Sequence, residues 1–213
     1  MPAAVWTGRR SDPENVTADL ARALRDELGL GESPPAMTLP GDSDGVPAGS
    51  LLPPRERFSG MPAPTHCFGY VDARAPRPFE LRAAIMSGGS ALRRSLGLGT
   101  LLYAVPLRVA VSGRAALGAP RGTRAVPFEG DAAVASRLNE DFDLVQQATT
   151  LAPTQAGPDS NHRWAVERLL SIEPHAQGGV LFVRTLHRAN PTGWTLGAPA
   201  VLELAARVET ALG

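Results

Sequence analysis

The chain has 213 residues, 43% of them apolar, and its 21 basic side chains balance 21 acidic ones to a formal charge of zero. Such a length accommodates one globular domain of about 150 residues with additions, and the charge balance offers no basic face for a phosphate backbone, so nucleic acid is set aside as a partner. Every basic residue is arginine, and the absence of lysine removes Schiff-base amines, lysine general bases and the phosphate-reaching lysine of a P-loop.

Met1–Arg10 lacks a continuous apolar core, so no secretory leader is expected. The longest mostly apolar stretch, Ser95–Gly113, is interrupted by Pro106 and Arg108, which argues against a spanning helix. One cysteine, Cys67, cannot form an internal disulfide, and a soluble, cytoplasmic chain is the expectation.

The first element is an N-terminal helical arm within residues 1–30. Asp12 suits an N-cap and Pro13 the first helical position; Val16, Leu20, Leu24 and Leu28 recur every four residues, and Gly29 and Gly31 end the helix. That stripe must bury against the chain's own core or a partner, the own core being preferred. Residues 31–64 then hold eight prolines and five glycines, a density that forbids a continuous helix or ladder and reads as an extended linker. Asp42-Ser43-Asp44-Gly45 has the wrong acidic spacing for a calcium loop and reads as a turn.

Residues 65–213 read as an α+β domain. His66–Val71, Phe79–Met86, Leu101–Val111 and Arg124–Phe128 are aromatic and aliphatic runs separated by Gly and Pro clusters, which predicts an antiparallel meander sheet. In the second run Phe79, Leu81, Ala83 and Ile85 alternate with Glu80, Arg82, Ala84 and Met86, implying one buried and one wet face. A central amphipathic helix from Asp131 to about Ala148 carries Val134, Leu138, Phe142 and Val145 on its buried stripe, with Arg137, Glu140, Asp141 and Asp143 largely off it. Trp164–Glu173 and Gly179–His187 form a hairpin around Pro174–Gly178, in which Leu181, Val183 and Thr185 alternate with Val180, Phe182 and Arg184. Asn190-Pro191-Thr192-Gly193 is a turn, and Pro199 opens a C-terminal helix striped by Val201, Leu204, Val208 and Leu212. Strand runs without a helix between each pair point to α+β and away from a doubly wound parallel sheet.

No residue pattern assigns a catalytic, cofactor or metal role. His66, His162, His175 and His187 lack helical ligand spacing, and adjacent His66 and Cys67 would point to opposite faces of a strand. Cys67 reads as a small core residue, Trp164 and Trp194 as lids over the sheet. Met86–Ser90 with Arg93 and Arg94, and Gly97-Leu98-Gly99, match neither a P-loop nor a dinucleotide fingerprint and read as turns. The acids Glu140, Asp141 and Asp143 read as a solvated helix face.

The expected function is therefore a non-catalytic binding or interaction domain, with a protein or a small apolar ligand as partner. Its candidate contact residues are Val16, Leu20, Leu24 and Leu28 of the arm, together with Arg93, Arg94, Tyr103 and Arg108, which fence or interrupt the apolar block. One alternative is a small-molecule pocket, enzymatic or not, between the sheet and the C-terminal helix. Another is peripheral membrane attachment through residues 95–111, where arginines flank apolar residues and a tyrosine.

Overall fold

The structure, a computed structural model, describes residues 13–32, 36–37, 47, 49–52, 66–86, 98–118, 125–151, 170–188 and 196–213, with backbone alone at 13–16, 36–37, 66–68, 84–86, 98–100 and 186–188. The chain forms two compact units, one comprising Met1–Leu102 with Leu186–Pro199 and the other Tyr103–Thr185 with Ala200–Gly213. The class is α+β: helices and antiparallel strands are segregated along the chain.

The first unit contains helix α1 (Pro13–Leu28) and strands β1 (Ala36–Met37), β2 (His66–Ala73), β3 (Phe79–Met86) and the start of β4 (Leu98–Leu107), hydrogen-bonded side by side in chain order as a meander requires. β1 lies antiparallel to β2 with Ala36 opposite Val71, and β2 antiparallel to β3 from His66↔Met86 to Ala73↔Phe79. Helix α1 packs against β2, and Leu20 and Leu24 are 0% exposed. Burying each such side chain contributes about 1.5–3 kcal/mol, which is what fixes so polar a helix in place. It stops where sequence said it would. Gly29 adopts φ +65°, which an L side chain rarely tolerates, and the Leu30 N–H reaches back to the Arg25 carbonyl at 2.9 Å.

The expected wet face of β3 is not wet: Glu80 is only 9% exposed and Arg82 5%. For Glu80 the reason lies in the proline- and glycine-rich stretch. The Ser50 hydroxyl and the Leu51 N–H, the latter at 3.0 Å, both donate to the Glu80 carboxylate, and Leu52 is buried beside them. One hydroxyl and one backbone amide thus make the burial of Glu80 possible by satisfying its carboxylate, which no hydrophobic period records.

The second unit holds the rest of β4, then β5 (Ala115–Leu117), β6 (Phe128–Gly130), helices α2 (Ala132–Glu140) and α3 (Phe142–Leu151), β7 (Leu170–His175), most of β8 (Gly178–Arg188), and helix α4 (Ala198–Leu212) from Ala200 onward. Its strand order is β4-β8-β7-β5-β6, so the meander ends at β4. Residues 103–105 of β4 are all buried, as a strand covered on both faces demands, and such a strand needs an equally apolar neighbour. The β7–β8 hairpin supplies one. In it Leu170 faces Val183 and Ile172 faces Leu181, while Ser171↔Phe182 and Glu173↔Val180 occupy the other side, the alternation expected from sequence. Gly178 closes the turn at φ +136°, where a Cβ would lie 2.8 Å from the Leu107 carbonyl oxygen.

The helix expected from Asp131 to Ala148 is two helices. Asp131 caps α2, accepting from Ala133 and Val134 N–H at 3.1 and 3.0 Å. At Asp141 the backbone turns to φ −93°, ψ 96°, and its carboxylate becomes the cap of α3 by accepting from the Leu144 N–H at 3.0 Å. The helical phase restarts there. Val134, Ala135 and Leu138 are buried in α2, and Leu144, Val145 and Ala148 in α3. On α4 the stripe Val201, Leu204, Val208 and Leu212 is buried as expected, joined by Leu202 and Ala205.

Candidate functional site

The restart of phase at Asp141 has one direct consequence. Phe142, expected on the buried stripe four residues after Leu138, is 67% exposed, the one large apolar side chain so exposed among the described residues. In an unbroken helix a residue four positions on keeps the same face; a cap between the two turns the following residue outward. The signal was present in sequence, since Asp141 followed by Asp143 in a first turn is an N-terminal signature, but the periodicity of Val134, Leu138 and Phe142 outweighed it.

Around the ring lies an open depression of about 530 Å³ lined by Arg137, Glu140, Asp141, Phe142, Asp143 and Ala211. Its charged groups are differently engaged. Arg137 donates to the Leu212 carbonyl at 2.9 Å, neutralising the negative end of α4. Asp141 is committed to its capping bond. The Arg207 guanidinium stands 3.9 Å from Asp141, 3.8 Å from Asp143 and 4.0 Å from Glu203, beyond hydrogen-bonding distance of each. Three carboxylates, Glu140, Asp141 and Asp143, thus line the depression against one guanidinium, Arg137, while Arg207 stands among Asp141, Asp143 and Glu203, and these six side chains together carry a net negative charge.

A second polar cluster sits in the first unit. Tyr70 is 3% exposed and hydrogen-bonded with Ser50 and Glu80. Burial first, and the nearby Glu80 and Asp72 charges after it, push the phenol well above its ordinary value of 10.0. The cluster is closed over by residues 50–52 and its carboxylate is already satisfied by that segment. It holds the strap in place, with both Tyr70 and Glu80 buried.

The residues singled out from sequence are dispersed. Leu20 and Leu24 are buried against the first unit's own strands, Leu28 is half-buried, and the Val16 side chain lies outside the described residues. Tyr103 is buried in β4, and Arg108 is exposed with its backbone N–H donating to Glu209 at 2.7 Å. Arg93, Arg94, His162, Trp164, Trp194, Asp42–Gly45, Gly88-Gly89 and Gly97 lie outside the described residues, as do the side chains of His66, Cys67 and His187. His175 is exposed at the hairpin turn. Within residues 95–111, Leu101, Leu102, Val105 and Leu107 are buried strand residues. Among the described residues no three His, Cys, Asp or Glu side chains gather as metal ligands, and no helix is long and apolar enough to cross a membrane.

Compared with protein-family models, with curated proteins and with solved structures, the chain matches none.

Proposed function

We propose that the chain is a non-catalytic binding domain and that the α2–α3 corner is the surface on which it holds a protein partner. The observation that carries this reading is Phe142, a bare aromatic ring at the rim of a depression, held outward by the Asp141 cap. Leaving a phenylalanine in water forgoes about 1.5–3 kcal/mol of burial, and a buried aromatic at the centre of a charged rim is the usual anchor of a protein interface. The corner is built on two capped helices, so the ring is presented from a rigid base and little ordering entropy would be lost on contact. A cytoplasmic location goes with this reading, since a single cysteine leaves the chain nothing to gain from an oxidising compartment.

The test places a photo-crosslinking amino acid at position 142, and as control at the exposed position 133 of α2, in cells that express the chain. A species trapped at 142 and not at 133, which once purified binds the native chain and binds Phe142→Ala more weakly, supports the reading. Equal trapping at both positions, or binding indifferent to Phe142→Ala, overturns it.

A further inference from the structure

We infer that the occupant of this corner is an arginine-bearing segment of the partner, with one guanidinium stacked on the Phe142 ring and paired with the carboxylates beside it. The inference rests on the binding-domain reading and deepens it. Three features of the corner select that chemistry.

The first is charge. On the rim Glu140, Asp141 and Asp143 outnumber Arg137, which is committed to the Leu212 carbonyl, and the nearby Arg207 is matched by Glu203, so the rim attracts a cation. The second is the ring itself. An exposed aromatic face carries negative electrostatic potential, and a cation seated over it gains attraction that an apolar or anionic group does not. The third is Arg207, which shows the carboxylates already disposed around a guanidinium. It lies 3.8 to 4.0 Å from three of them, too far to bond any, so Asp143 and Glu203, which unlike Asp141 cap no helix, can accept from a planar fork that approaches more closely. A flat guanidinium can stack on the ring and pair with a carboxylate in the same pose; a lysine ammonium can pair but cannot stack as a plane.

Three blocked nine-residue peptides, alternating glycine with arginine, lysine or glutamate, test this by titration into the full ¹⁵N-labelled chain. The expected result is that the arginine peptide shifts the amide signals of Phe142 and Asp143, binds more tightly than the lysine peptide, and weakens as salt is raised. Phe142→Ala should weaken it about three- to fivefold, the range of a partly exposed cation–ring contact. The double variant E140Q/D143N should weaken it further and flatten the salt dependence. Glutamate-peptide binding at the corner, equal affinity for lysine and arginine, or indifference to Phe142→Ala would each overturn the inference. If crosslinking at 142 captures a partner while the arginine peptide leaves Phe142 unshifted, the surface stands and its occupant is wrong. If both experiments fail, the surface itself is wrong.

Discussion

The carboxylate of Glu27 accepts the backbone N–H of Ala198 at 3.1 Å and also that of Leu196, so the last turn of α1 caps the first turn of α4. Glutamate at the negative end of its own helix is electrostatically misplaced. Its position makes sense only as the acceptor for the orphan donors of another helix, and it ties the N-terminal helix down by a directional bond in addition to Leu20 and Leu24.

Glu27→Ala leaves two backbone donors at the start of α4 without that acceptor and should lower the stability of the chain by about 1–2 kcal/mol. Glu27→Gln, which keeps an acceptor oxygen, should lose roughly half as much. Urea unfolding followed by circular dichroism measures both. Equal stability of Glu27→Ala and the native chain would show that water replaces the carboxylate without loss.

Leu24→Ala empties a fully buried site and is expected to cost about 2–5 kcal/mol, whereas Phe142→Ala, on an exposed ring, should stay within about 0.5 kcal/mol of the native chain. The pair separates core from contact surface in one thermal-denaturation series. A large loss for Phe142→Ala would mean that the ring is buried in solution and that the corner has no anchor.

Asn139 pairs with the outer edge of β6. Its side-chain oxygen accepts the Phe128 N–H at 2.8 Å and its amide donates to the Phe128 carbonyl at 3.0 Å, as a neighbouring strand would. Asn139→Ala should cost about 1–3 kcal/mol and bare a strand edge, with concentration-dependent association visible by light scattering. Asn139→Asp keeps the acceptor but sets it against the Phe128 carbonyl in place of a donor, and should behave nearly as badly.

The Tyr70 phenol is held neutral by burial and by Glu80. Because its folded value is raised, its contribution is complete below about pH 10, where the phenol is protonated in both states. Above pH 10 the unfolded chain ionises while the folded one does not, and stability should fall by about 1.4 kcal/mol per pH unit. Tyr70→Phe removes that slope. Urea midpoints between pH 9 and 11.5 for the two proteins decide it, and identical pH profiles would show that the phenol reaches water.

Much of the architecture was legible because it is written in local chemistry. Asp131 as the start of a helix, Gly29 as a stop, the i, i+4 stripe of α1, the alternation Leu181, Val183 against Val180, Phe182, and the stripe of α4 each depend on a few neighbouring residues and an element's own period. Those quantities are set by backbone geometry and survive any packing arrangement.

What needed the folded molecule was every feature that depends on a distant partner. Glu80 looks like a solvent residue until Ser50 and Leu51, some thirty residues earlier, donate to its carboxylate, and Arg82 two positions on is buried as well. Phe142 reads as core until a single capping bond, from the Leu144 N–H to Asp141, shows a new helix beginning at it. Strand β8 lies beside β4 because two apolar runs far apart in sequence match in burial on both faces. The period of a segment says which side is greasy; only the competition among all segments for the same buried space decides which side is covered, and by what.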